Sequence, residues 1–344
     1  YNISILANQY LNIDMNDYLE KMGIDKNQNK QITLFETQEL NDTTKYENGI
    51  ETYLLNKLIE KITEKLKEIN CWELFNNIEI ETVNRCNGTC SFCPVNKNQD
   101  PREYKKMPEE LFKKIIKELK EINYNGAIAL HSNNEPLLDK KICNYAKYTR
   151  KELPNSYIYL YTNGTLLTID KFCELITNLD LLVIDNYNDN IQFIEPVKEI
   201  FNYCIQHPEL KKKVRIDMRL QNQILTSRGG QSDNRDEILT LKSSCLLPFN
   251  KIVVQPDGRI PLCCCDPFGK VILGDLNTEK LVDIWNGKKA RALRESLYKE
   301  QYSRKNLKLC SKCDVLVEKL DGIPYTDEDI SNQWKNLYSI FNIQ

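Results

Sequence analysis

Apolar residues recur at helical spacing from residue 51 onward, at Leu54, Leu55, Leu58, Ile59, Ile62, Leu66 and Ile69, with Lys and Glu between them. This pattern predicts an amphipathic helix that buries one face. Residues 78–83 alternate apolar and polar instead, which predicts a strand running into a cysteine-rich loop. Further strand-like runs at 127–131, 157–162, 181–185, 214–220 and 251–254 alternate with helical patterns at 108–122, 140–152, 169–178 and 193–205. Alternation of this kind predicts an α/β fold, with βαβ units around a parallel sheet. On such sheets functional groups gather beyond the carboxyl ends of the strands. Polar runs stand there: the cysteine loop, His131-Ser132-Asn133-Asn134-Glu135-Pro136, and Tyr161-Thr162-Asn163-Gly164. Further on, Asp257-Gly258 between apolar runs at 251–255 and 259–263 predicts a hairpin.

Residues 1–50 are rich in Asn, Asp, Lys and Gln and carry no interpretable motif. The strand and helix pattern breaks at 229–238, a stretch of Gly, Ser, Asp and Asn. The organisation expected is a mostly helical extension over 1–75, a main unit over 76–238 and a smaller unit over 239–344. At 344 residues the chain exceeds one compact core, in keeping with a large catalytic domain plus an appended one.

Composition narrows the function. Apolar residues at 41% suffice for a core and exclude global disorder. Lys and Arg number 47 against 49 Asp and Glu, so no bulk field favours a nucleic-acid or membrane-surface partner. The longest apolar stretches, such as 181–184, are far too short to cross a bilayer, and no early basic-then-apolar signal is present. A cytoplasmic protein is expected. The chain begins at Tyr1 rather than Met, so whether residues precede it is open.

The chain has 13 cysteines, an odd number with short spacings, which points to metal or redox chemistry more than to disulfides. Cys71, Cys143, Cys173 and Cys204 stand alone, and the last three read as small hydrophobes within helical patterns. Cys86, Cys90 and Cys93 fall within eight residues. Three soft thiolates suit an iron-sulfur cluster with one iron left open, whereas structural zinc would need a fourth protein ligand. Cys245, Cys263, Cys264, Cys265, Cys310 and Cys313 form a second group. Residue chemistry alone leaves both a zinc ribbon and an iron-sulfur site open there. His131 reads as a polar lining residue and His207 as a cap or surface residue. Arg228, beside Gly229 and Gly230, reads either as a contact for a substrate anion or as part of a turn.

The run Cys86-x3-Cys90-x-Phe92-Cys93 resembles the CxxxCxΦC signature of the radical S-adenosylmethionine (SAM) superfamily, with Phe92 as the aromatic. The resemblance spans about residues 78–255. It implies a partial (β/α)6 barrel in which the three cysteines hold a 4Fe-4S cluster and the open iron chelates SAM. Reductive cleavage of SAM would then give a 5'-deoxyadenosyl radical that abstracts hydrogen from a substrate carbon. Phe92 would contact SAM. Asn133, Asn134 and Glu135 stand where the family has a Gly-Gly-Glu motif for the SAM amine, with Asn in place of both glycines. Thr162 and Asn163 would lie beside SAM, Asp185 near its ribose, and Arg219 near its carboxylate.

The second cysteine group resembles the SPASM/twitch extension of the same superfamily, through Cys245-x12-Gly258-x4-Cys263, Gly274-Asp275-Leu276 and Asp283-Ile284-Trp285-Asn286. No cysteine follows Cys313. The resemblance therefore implies a small β-hairpin and helix domain with one auxiliary 4Fe-4S cluster on Cys245, Cys263, Cys310 and Cys313. Cys264 and Cys265 are left over, either as packing or an alternative ligand, or as catalytic thiols that return hydrogen to a substrate radical. The activity expected is oxidation of a sugar, cyclitol or peptide, with a flavodoxin or ferredoxin-type reductant as partner. A radical SAM epimerase or ribosomal-peptide maturase is the alternative, although residues 1–75 show no leader-binding domain. A non-catalytic zinc or iron-sulfur module is the reading of a different class.

Overall fold

The computed structural model describes residues 74–237, 241, 245–299, 304, 307–315 and 323–341. The helix expected over 54–69 and Cys71 lie outside these residues, as do the remaining expectations for 1–73. Residues Glu73–Gln344 belong to one compact unit.

Strands β1 (Asn77–Ile80), β2 (Ala127–Ala129), β3 (Tyr157–Thr162), β4 (Leu181–Tyr187) and β5 (Val214–Arg219) alternate with helices α1 (Glu109–Glu121), α2 (Ile142–Glu152), α3 (Ile169–Asn178) and α4 (Glu195–Gln206). Every expected strand and helix of this series is present, within a few residues of its expected ends. A sixth strand, β6 (Lys251–Val254), completes an all-parallel sheet in the order β5-β4-β3-β2-β1-β6. The last strand thus returns to the β1 side of the sheet.

Ile78, Ile128 and Ile158 stand in register across β1, β2 and β3 and are fully buried. Their neighbours Glu79, Ala129 and Tyr159 form the next register row, on the opposite face because side chains alternate along a strand. Helix α1 buries Leu111, Phe112, Ile115, Ile116 and Leu119. Both faces of the sheet are therefore enclosed, as parallel strands require.

The hairpin expected over 251–263 does not form as a ladder. Its turn is present: Gly258 has φ +89° and donates its N–H to Gln255 O at 2.9 Å. Past one backbone bond from Gln255 N to Arg259 O, however, the two arms part. Pairing with β1 puts Ile252 and Val254 into the main core, which buries more than a two-stranded ribbon could. Strand β7 (Arg259–Pro261) pairs antiparallel with β8 (Ile272–Asp275) instead.

Helix α7 (Asp327–Ile340) closes the outer edge of β5. Trp334 Nε1 donates to Val214 O at 2.8 Å and Gln333 Nε2 donates to Ile216 O, so side chains satisfy carbonyls that a further strand would otherwise take. Between β8 and α7 run α5 (Leu281–Trp285), α6 (Lys288–Lys299) and a 3₁₀ turn at Cys310–Lys312. A second core lies here, built from Leu247, Leu262, Leu293, Leu297 and Leu309 together with cysteines.

Candidate active site

The loop after β1 is fixed by its own backbone and by its neighbours. Asn96 Nδ2 donates to Cys90 O at 3.1 Å and Cys93 O at 2.9 Å, and Ser91 N donates to Gln221 O at 3.0 Å beyond β5. Arg102 pairs with Asp100 at 2.9 Å and Glu81 at 3.0 Å and reaches Asn133 O at 3.1 Å, which ties this loop to the one after β2. Cys86, Cys90 and Cys93 line one cavity of about 400 Å³. A Cβ on Gly88 would stand 3.3 Å from Cys86 Sγ and 3.8 Å from Cys90 Sγ, so the chain leaves a cradle beside the thiols. Burial, with smaller additions from neighbouring acids and thiols, pushes Cys86 and Cys90 up to about 12. Three thiols lining one cavity become thiolates together around a cationic inorganic centre, and this donor set fits an iron-sulfur cluster.

The residues expected around SAM line the same cavity. Glu135 accepts from Leu137 N at 3.0 Å and Thr162 Oγ1 at 2.7 Å on one oxygen and from Asn163 N at 2.7 Å on the other. It pins the loops after β2 and β3 together. Burial lifts its carboxyl to about 7. Asn163 Nδ2 donates to Asn87 Oδ1 at 2.8 Å in the cysteine loop. Asn134 Oδ1 accepts from Ser132 N at 3.0 Å, while its Nδ2 is a buried donor with no partner, as a site awaiting a polar ligand would leave it. Asn133 donates to Cys264 O at 3.0 Å and accepts from Arg228 at 2.5 Å. Phe92 is buried, with its ring 5.8 Å from that of Tyr187. Asp185 and Arg219, expected to serve separate parts of SAM, form an ion pair with each other at 2.5 Å.

Sequence reasoning missed the polar floor of this cavity. Glu79 accepts from Lys251 Nζ at 2.5 Å and from Ser132 Oγ at 2.8 Å. Lys251, followed by His131 and Ser132, holds the Glu79 carboxyl below its usual range despite burial. His131 lines the cavity as expected. Burial lowers its pKa to about 4, and Nδ1 accepts from Tyr161 N at 3.1 Å, so the neutral ring carries its proton on Nε2. An acidic residue inside a buried strand was the available signal for Glu79, but its partner lies 172 positions away. Arg228 reaches the cavity from a backbone of positive φ (+49°), followed by Gly229 (+63°) and Gly230 (+73°). Among the described residues it makes no ion pair. Strain of this kind persists where the surrounding structure enforces it, often at functional positions.

The second cysteine group also converges. Cys245, Cys263, Cys310 and Cys313, all buried, wall a small void together with Cys265. Arg304 donates to Cys313 O at 3.2 Å and Val315 O at 2.8 Å beside it. Asp266 accepts from Lys270 N and Val271 N, both at 2.9 Å, and fixes the loop that follows. Burial, followed by the nearby Cys263, pushes Cys245 up to about 12. An apolar pocket walled by thiols fits a compact, all-cysteine centre. Cys264, by contrast, is half-buried and faces the first cavity. Cys143 and Cys204 are buried and Cys173 partly so, within α2, α4 and α3. His207 is the C-cap residue of α4.

Fold and site define an iron-sulfur protein with two cysteine-lined centres on an α/β scaffold. Two family models match it: the radical SAM superfamily over residues 80–216 and the SPASM iron-sulfur cluster-binding domain over residues 245–314. The chain belongs to the radical SAM superfamily and carries a SPASM region, so its cofactors are SAM, a 4Fe-4S cluster and an auxiliary iron-sulfur cluster. It is 29% identical over 245 residues to the S-adenosyl-L-methionine-dependent 2-deoxy-scyllo-inosamine dehydrogenase of Niallia circulans, a match covering 70% of this chain and 94% of that protein. It resembles the crystal structure of BtrN in complex with AdoMet and 2-DOIA, with a TM-score of 0.63 and 27% identity over 74% of this chain and 99% of that one. An open conformation of BtrN shares the fold, with a TM-score of 0.53 and 24% identity over the same shares of the two chains. No described helix is long and apolar enough to cross a membrane.

Proposed function

We propose that the protein is a SAM-dependent dehydrogenase that oxidises a hydroxyl-bearing carbon of a cyclitol or related sugar. The observation that carries this reading is the single cavity with the Cys86, Cys90 and Cys93 loop on one side and the Cys264-Cys265 wall of the second cysteine group on another. When bound, the cluster and SAM supply a 5'-deoxyadenosyl radical, and the auxiliary cluster supplies one-electron chemistry. Cys86, Cys90 and Cys93 would hold the first cluster, and Cys245, Cys263, Cys310 and Cys313 the second. Glu135 would receive the SAM ammonium and the free Asn134 Nδ2 would donate to its carboxylate, with Phe92, Thr162 and Asn163 packed beside it. The Asp185–Arg219 pair presents polar groups for the ribose and carboxylate. Glu79, His131 and Arg228 offer acceptors and donors to ring hydroxyls. The relative's substrate, an aminocyclitol by its name, supports this class. A flavodoxin or ferredoxin-type protein would supply electrons.

Anaerobic reconstitution with iron and sulfide, followed by dithionite, SAM and 2-deoxy-scyllo-inosamine or other cyclitols, tests the proposal. Ketone and 5'-deoxyadenosine should appear in equal amounts. The place of Cys264 on the cavity wall favours a second reading, epimerisation by hydrogen return from its thiol. In that case deuterium from solvent would enter one ring carbon without ketone, and Cys264→Ala would abolish the exchange.

A further inference from the structure

Five buried thiols surround a void that a four-iron centre would bind with four. Cys265 differs from the others in position. It borders both the substrate cavity and the void of the second cysteine group, the only described residue to line both. It shares the walls of that void with Cys263 and Cys313, two of the expected ligands, and stands beside Cys264 on the cavity wall. The backbone of Cys265 is held from the Arg228 side, where Gln231 Nε2 donates to its carbonyl at 2.8 Å. With 4% of its surface exposed, the thiol has no solvent partner to turn to.

We propose that Cys265 is a positioning residue for the auxiliary cluster: it remains unligated and donates its S–H to a ligand sulfur, setting the reduction potential of that centre from the wall shared with the substrate cavity. No bond is made or broken. A ligand sulfur carries more negative charge when the cluster is reduced, so a donor aimed at it favours the reduced form and raises the potential. The functional consequence rests on the dehydrogenase reading, in which the centre serves as electron acceptor. The structural claim does not.

The test uses the full-length protein with Cys86, Cys90 and Cys93 replaced by Ala, reconstituted so that the auxiliary cluster alone gives the signal. Iron and sulfide content and an EPR-monitored redox titration are compared for this parent, Cys265→Ala and Cys265→Ser. Both variants should retain the cluster. Cys265→Ala should reduce at a more negative potential, with the reduced-to-oxidised ratio at fixed potential falling up to about tenfold, equivalent to about 59 mV for one electron. Cys265→Ser, which keeps a donor, should stay near the parent. An unchanged potential in Cys265→Ala with iron intact would overturn the proposal, leaving only packing. Loss of iron from both variants would also overturn it, by making Cys265 a ligand. The titration needs no substrate, so failure of the dehydrogenase reading shows separately as absence of ketone from the wild-type enzyme.

Discussion

Glu135 directs both carboxylate oxygens at the protein and is raised to about 7 by burial. In the cofactor-free protein the folded state therefore favours its protonated form. The stability this contributes is complete below the unfolded value of 4.5 and is lost as pH rises through about 7, a change of about 3 kcal/mol. Urea unfolding between roughly pH 4 and pH 8 should show that decline, and Glu135→Gln should flatten it. Lys251→Met leaves the Glu79 carboxylate buried without its cation and should cost about 3–5 kcal/mol by the same assay. Adding Glu79→Gln should recover most of the loss. What the sequence revealed at this scale was local. Three thiols and Phe92 within eight residues are readable because one loop carries them. The Glu79–Lys251 pair joins two strands, and neither residue announces the other.

Among the elements, α7 has the most visible device: Thr326 and Asp329 cap its start reciprocally. Thr326→Ala should cost about 1 kcal/mol in thermal or urea unfolding. Trp334→Phe keeps the ring but leaves Val214 O without its donor, and should cost about 1–3 kcal/mol. The strands and helices from 77 to 219 were legible because each carries its own periodicity. The fate of β6 was not. The Asp257-Gly258 turn is a local signal and forms, but whether its arms pair is decided by competition with β1, which no short window contains. Likewise, nothing in the sequence of 327–340 shows that its polar side chains would close a sheet edge.

For the molecule as a whole, two four-iron centres predict about eight irons per chain after reconstitution, falling to about four when Cys86, Cys90 and Cys93 are all replaced by Ala. Because Cys245, Cys263, Cys310 and Cys313 belong to the second core, stripping the auxiliary centre with a chelator should lower the melting temperature. Loss of the first cluster, on a cavity loop, should lower it less. Calorimetry on the parent, the variant lacking Cys86, Cys90 and Cys93, and the chelator-treated form of each would separate these effects. The parallel sheet also imposes an order on synthesis. Among the described residues one flank of β1 is covered only by β6, and the Glu79–Lys251 contact spans 172 positions. While the ribosome is still making the intervening chain, that flank presents bare amides and carbonyls to any neighbouring strand. Yield should therefore respond to chaperone supply and to translation pauses before codon 251, even in hosts that assemble iron-sulfur clusters well.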